Sequence, residues 1–577
     1  MSSAERARAS TSGARPPAAS SRAMNRLLVP TIALAGGACA PNAAAKPVPA
    51  PLAAAESSYQ AVRALKDATD IARELHSRTV PSGDSLAAVA RAYGPARDGL
   101  DALLRAADSA ALDTVDQRAL GVMRLTARAE LAADSATGPP ADTARPDCAY
   151  SARAIAALAH GLDSLAARMD ACYSYEAMHV MVDGQRLDRL GVLGRMTSEP
   201  SAAERRRLFL TLVPLFQSVN GADDENSPYR QMVRLSAARW REQGSPVSEA
   251  ARAAGIAPDS AAVWLERILA RWRDVTPDSL VEPWDYDYLA GAAERRLDKR
   301  ISHAGLPVLN AAYYRALGAD VDTLHVHYDL APRAGKTAVA YTTFGRRARL
   351  ERGAWVRGDE WVFATYEYGG LDNLAELMHE TGHAIHIAAI RTRPAFFDWP
   401  DDDAFTEGIA DIAALETTEP AWQQRWLGDS ASLAEDMRSR YAAIMMDVCW
   451  SLFEIRMHAN PEADPNVVWS DLTSTYLHIR PHPELSWWAR REQLISLPGY
   501  MSNYAIGGII IADLRARLIA EHGNFALGDS TWYTWTSARL YQWGLERTSR
   551  SVIEGFLGRP LSPDALLADL ARMRPIR

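Results

Sequence analysis

The chain has 577 residues, of which 48% are hydrophobic and 23% charged, with a formal net charge of −8 and a pI of about 6.0. This is ordinary globular composition, enough for a large core and more than one lobe. Basic residues are scattered rather than clustered, which argues against nucleic acid as a partner, and four cysteines are too few for a disulfide scaffold.

Residues 1–23 are polar and rich in Ala, Ser and Arg, and read as an upstream mis-start outside the fold. From Met24 to Cys39 the chain carries Arg26, an apolar run from Leu27 to Ala38, and small residues before the cysteine. The run is too short to span a membrane but suits a signal-peptide core. The segment resembles a bacterial lipoprotein signal, with Gly36 where such signals usually carry Leu. That resemblance implies lipidation of Cys39, export, and residence in the periplasm or cell envelope. The alternative is a disordered N-terminus with a chance apolar patch. Residues 40–56 are Pro/Ala-rich and read as a tether. In an exported chain Cys148 and Cys172 could pair, whereas Cys449 sits in an apolar, helix-like stretch and is expected to be buried.

Residues 57–320 read as a helical N-terminal lobe. Segments 59–75 and 162–178 carry apolar residues at helical spacing with charges between them. Residues 134–148 break that pattern and read as a loop. Ser201 followed by Glu204 is a capping-box signature for a helix start. Near residue 322 the pattern changes. "DTLHVHYDL" (322–330) and "EWVFATYEY" (360–368) read as short strands, after which helical segments run to the end. Residues 321–577 thus form a mostly helical region with a small sheet ahead of a histidine cluster.

The cluster is "LMHETGHAIH", Leu377 to His386, in a chain with 13 histidines. His379 and His383 are four apart, so on a helix both imidazoles lie on one face and can bind one zinc ion. Glu380 lies beside the first ligand, placed to reach a water at the metal without binding the metal itself. Catalytic zinc needs a third protein ligand and an open position. Glu407, in "FTEGIADIAAL", is the candidate ligand. Asp411, one turn further on, is the candidate partner for the outer nitrogen of a ligand histidine. A solvated acidic face suits Asp401–Asp403 better than these two, because apolar residues flank them. A third imidazole on zinc would fill its open position, so His386 is read as a supporting or packing residue.

These motifs resemble the glutamate-zincin peptidases, specifically the thimet oligopeptidase/oligoendopeptidase F family, with features of angiotensin-converting enzyme. "HYDLAPRAGKTAVA" (327–340) and "LPGYMSNYAIGGIIIADL" (497–514) resemble stretches flanking the zinc helix in the oligopeptidases. "GRMTSEPSAAERRRLF" resembles a helix turn in the N-terminal lobe of both families. The resemblance implies a mostly α, two-lobed helical clamshell with a small β-sheet beside the zinc helix and a deep central channel. It implies one Zn2+ on His379, His383 and Glu407, with Glu380 as general base. It implies Tyr504, and with it Tyr500, as hydrogen-bond donors to the oxyanion. Negative charge builds on the carbonyl oxygen during attack, and a preorganised hydroxyl there stabilises it.

The chain also departs from that pattern. No histidine stands shortly before the tyrosines, and His478 and His482 could substitute only if a loop folds back. Thr381 stands where the zinc helix usually has an apolar residue. Arg491 falls near the place where the converting enzyme holds a substrate's C-terminal carboxylate, and its other reading is a surface arginine. Arg333 and Lys336 face either substrate or their own lobe. The expected function is zinc-dependent hydrolysis of short peptides. Two alternatives stay open: a dipeptidyl carboxypeptidase, and a catalytically degenerate envelope lipoprotein that binds peptide or metal.

Overall fold

A computed structural model describes residues 48–75, 84–108, 110–129, 146–148, 150–151, 161–241, 244–333, 336, 340–352 and 354–573. The leader, Cys39 and most of the 40–56 tether lie outside the described residues, as does nearly all of the 134–148 loop. The described chain is mostly α, with helices from α1 (Ala50–Leu75) to the C-terminus and three small sheets. Among the described residues no helix is long and apolar enough to cross a membrane.

α1 begins inside the segment read as tether, at Ala50 rather than near Ser57. Pro51 sits in its first turn, where a missing N–H leaves no helical bond unmade. α2 (Asp84–Ala107) and α3 (Thr114–Ala129) follow, and α4 (Leu162–Met178) spans the segment that periodicity marked. The helix after Ser201, α5 (Ala202–Leu210), starts as expected: the serine hydroxyl accepts from the Glu204 N–H. The reciprocal half of the capping box does not form. Glu199 takes the Ser201 N–H instead, at 2.8 Å, because Glu204 is drawn into a pair with Arg207.

The strands before the helix that carries the histidine motif are β3 (Val326–Asp329), β4 (Tyr341–Phe344) and β7 (Glu360–Phe363). They follow a β1–β2 hairpin (Val180–Val182, Gln185–Leu187). A second hairpin, β5–β6 (Arg349–Glu351, Ala354–Val356), lies between β4 and β7. β7 is central, parallel to β3 and antiparallel to β4. β3 and β7 fall in the two stretches read as strands. β4 and both hairpins carry too few residues for alternation to show.

One apolar cluster extends from Leu165 to Met573 and holds most of the helices. A second gathers α1, α2 and α3 around Ala395, Phe396 and Leu545. The N-terminal helices are joined to the rest by buried charge as well as by apolar contact. Arg63 on α1 bonds Asp398 at 2.7 Å, and Asp67 bonds Arg347 at 2.7 Å. Arg393 reaches Glu56 and Asp116 at 2.7 and 2.8 Å. Cys148 and Cys172 form a disulfide, and Cys449 is a buried thiol.

Removing one partner of such a pair strands a charge in the interior, at a cost of roughly 3–5 kcal/mol. Arg347→Ala is therefore expected to lower the melting temperature and to expose α1 to proteolysis before the remainder of the chain. A thermal melt and a timed limited digest read by mass would check both effects.

Candidate metal centre

The motif helix, α6 (Leu371–Ala389), is enclosed on nearly every side. Asp298 accepts the Leu371 N–H at 3.3 Å and so caps its start. Tyr314 and Tyr533 donate to the carbonyls of Met378 and Ile385. Thr381 is fully buried in a polar knot. It donates to the Leu377 carbonyl and accepts from Asn310 Nδ2 and Tyr328 Oη, both at 3.0 Å. Its hydroxyl therefore adds fixed contacts where the sequence suggested looser packing.

A second helix, α7 (Asp403–Ala414), crosses α6 at Gly382. A Cβ at Gly382 would stand 2.1 Å from the Ala410 carbonyl oxygen. Only glycine permits this approach. It brings Glu407 to the two histidines. His379 Nε2 and His383 Nε2 are 3.1 Å apart. Glu407 Oε2 is 3.5 Å from the first and 4.0 Å from the second. Donors sharing one tetrahedral zinc at about 2.0–2.1 Å stand roughly 3.3 Å from one another. The trio fits such an ion with small shifts. Among the described residues no other three side chains gather in this way.

Asp411 Oδ1 lies 2.7 Å from His379 Nδ1, which fixes the ring and turns Nε2 toward the trio. Burial alone would push the His379 imidazole down, but Asp411, Glu407 and Glu380 outweigh it and raise its pKa well above the usual value. The site is thus a buried excess of carboxylate that favours a positive charge. Glu380 is also buried. Thr342 Oγ1, on β4, lies 2.8 Å from both its Oε2 and its main-chain oxygen.

His386 points elsewhere. Its ring neighbours are Trp399 and Tyr541, and burial pushes its imidazole down to about 3, so it packs as a neutral ring. Trp399 also touches the His383 ring, with centroids 5.5 Å apart.

Glu407 and Asp411 line a solvent-open cleft together with Tyr504, Asn503, Asp447 and Arg440. Tyr504 stands on α9 (Met501–His522), which follows α8 (Leu433–Ala459). Tyr500 occupies the cap position of α9, with its ring edge against Tyr504, centroids 5.8 Å apart. It is not among the residues lining the cleft. The turn ahead of Tyr500 is fixed by Gly499, at φ +89°, where a Cβ would meet the Pro246 carbonyl at 2.6 Å. The buried Glu454 on α8 accepts the Gly499 N–H at 2.7 Å.

Several sequence candidates have structural partners instead. Arg491 is buried rather than at the surface. It pairs with Asp447 at 2.6 Å and packs on Trp450 and Tyr504. Lys336 Nζ is within 3.2 Å of four oxygens, from Asp329, Ala331 and Ala364, and Arg333 bonds Asp329 and the Glu74 carbonyl. His478 and His482 do not fold back. A bridge between Val281 and Ile479 holds their loop. His478 meets the Arg273 carbonyl, and His482 is held between Glu282 and Glu484.

No family model matches the chain, and no curated protein matches it. Solved structures do. The M32 carboxypeptidase from Deinococcus radiodurans R1 superposes with a TM-score of 0.53 at 14% identity, covering 91% of this chain and 99% of its own. A protein provisionally designated oligoendopeptidase F gives 0.53 at 16% identity, covering 90% and 96%. PZ peptidase A gives 0.52 at 14%, with the same coverage. The chain has the fold of these helical peptidases. The likeness runs nearly end to end in each pair, so the helices ahead of residue 320 belong to it as much as the motif region does.

Gly382→Ala should drive α6 and α7 apart. Loss of metal affinity by more than about 10-fold in a chelator competition, in a protein that remains folded by circular dichroism, is the expected result. A second expectation concerns Glu454. Burial pushes its carboxyl up to about 8. A folded-state pKa above the unfolded value gives stability that is fully present below about pH 4.5 and lost as pH rises through about 8. Glu454→Gln should therefore be more stable than the wild type above pH 8 and differ little from it near pH 5, read from urea midpoints at the two pH values.

Proposed function

We propose that the protein is a zinc-dependent peptidase that cleaves short peptides, exported and held at the cell envelope by a lipid at Cys39. The observation that carries this reading is the convergence of His379, His383 and Glu407 at the edge of a cleft, with Glu380 beside them and Asp411 behind. Two imidazoles and a carboxylate suit zinc in a catalytic site, which keeps a fourth position open. The peptidase fold supports the same reading. The disulfide is consistent with an oxidising compartment.

In this reading His379, His383 and Glu407 hold the ion, which supplies Lewis-acid polarisation when bound. Asp411 keeps His379 in the tautomer that offers Nε2. Glu380 accepts a proton from the attacking water and delivers it to the leaving amine. The Tyr504 hydroxyl, on the cleft wall, donates to the carbonyl oxygen as charge develops there. Similar solved structures include a carboxypeptidase and an oligoendopeptidase, so the fold is compatible with either cleavage mode. Oligopeptidase action is the better supported. Arg491, the residue that suggested a C-terminal carboxylate anchor, is already matched by Asp447.

The test has three parts. Purified protein should contain one zinc per chain, lose turnover of a quenched peptide on chelation, and regain it with zinc. Glu380→Gln should keep the zinc and lower kcat by roughly 10²–10⁴-fold. A zinc-loaded protein that binds peptides without cleaving any would instead support the degenerate binding lipoprotein. In a peptide-length series with free and amidated C-termini, internal cuts indifferent to amidation are expected. Release of dipeptides from free C-termini alone would overturn the oligopeptidase assignment in favour of a dipeptidyl carboxypeptidase.

A further inference from the structure

β4 is held over the motif helix along one of its faces. Tyr341 stacks on Phe363 of β7, with centroids 5.2 Å apart. Two residues apart on the same face of the strand, Thr342 and Phe344 meet α6. Phe344 clusters with Ile387 and Ile390, and Thr342 reaches Glu380. The strand is itself fixed by its antiparallel register with β7, in which Thr342 stands opposite Val362. The position of the Thr342 hydroxyl is therefore set by a sheet and a packed aromatic, not by a mobile loop.

That hydroxyl has one proton and two acceptors at 2.8 Å, both belonging to Glu380. The main-chain oxygen lies within α6, where helical geometry already supplies an N–H donor. The carboxylate oxygen is the stronger acceptor when ionised, because a hydrogen bond to a charged group is roughly twice as strong as a neutral one. We infer that Thr342 is a positioning residue for the general base: its hydroxyl holds Glu380 Oε2 and thereby presents Oε1 as the oxygen that takes the proton. This rests on the reading of Glu380 as the base. A glutamate side chain has three rotatable bonds, and a bond from a fixed strand hydroxyl narrows the rotamers it samples. Catalytic geometry tolerates little of that freedom.

Thr342→Val keeps the side-chain volume and removes the donor. Expected for the zinc-loaded enzyme is a kcat lower by about 10- to 100-fold, with KM and zinc content unchanged and the protein still folded by circular dichroism. Thr342→Ser, which restores the hydroxyl, should bring kcat back to within about 3-fold of the wild type. In a Glu380→Asp background, where the shorter carboxylate ends away from Thr342, Thr342→Val should have no further effect, as expected of two groups acting as a unit.

A Thr342→Val enzyme of full activity beside an inactive Glu380→Gln enzyme would overturn this inference and leave the peptidase reading standing. Parallel loss of kcat, zinc and melting temperature, without rescue by serine, would also overturn it, by showing that Thr342 only anchors β4. A zinc-loaded wild type that cleaves no peptide would remove the peptidase reading and this inference together.

Discussion

The contact on which the site depends is the crossing of two helices at Gly382. The motif histidines and their third partner come from different helices, so no property of either helix alone brings them together. The Ala410 carbonyl lies where any side chain at 382 would stand. The interhelical distance at that point sets how far Glu407 and Asp411 reach toward His379 and His383. A displacement of one methyl group would move both acidic side chains, the one within the trio and the one behind it.

Such proximity has an electrostatic cost. Glu380, Glu407 and Asp411 gather around two buried imidazoles, and like charges brought together in this way repel one another. A proton on His379 offsets them: Asp411, Glu407 and Glu380 hold that imidazole well above its usual pKa against the effect of burial. The surrounding shell is correspondingly rigid. Tyr314 and Tyr533 bond the helix from outside, and Thr381 within it is held by Asn310 and Tyr328. Trp399 packs on both His383 and His386.

The N-terminal helices join this shell through ion pairs. Asp398 directly precedes Trp399, and it meets Arg63 of α1. Arg347, three residues after Phe344, meets Asp67. α1 is thereby connected to the two segments that flank the histidines. Isolated surface pairs of this kind would contribute little, but these are shielded from water, and their loss leaves an unmatched interior charge. The helical layer farthest in sequence from the motif is therefore tied to the walls of the site.

The local readings that held are those with enough residues to show a period. α4 occupies the segment its apolar spacing marked, and β3 and β7 fall in the two β-branched, aromatic stretches. β4 and the hairpins did not stand out, since three or four residues cannot display alternation. Thr342, in the unremarkable "AYTTF", had no sequence signal at all, because its partner is 38 residues away. Thr381 was visible only as a polar oddity, and its partners Asn310 and Tyr328 lie in other elements. The sequence by itself determined the pair of histidines on one helical face, the glutamate beside the first, and the acidic pair on a second helix. Each of these follows from spacing within a helix. Only the tertiary structure decided that the two helices meet at a glycine and that His386 packs against Trp399. It likewise decided that Arg491 is committed to Asp447 and that a strand hydroxyl grips Glu380. Those outcomes depend on which distant segments share a core, and spacing along the chain carries no information about that.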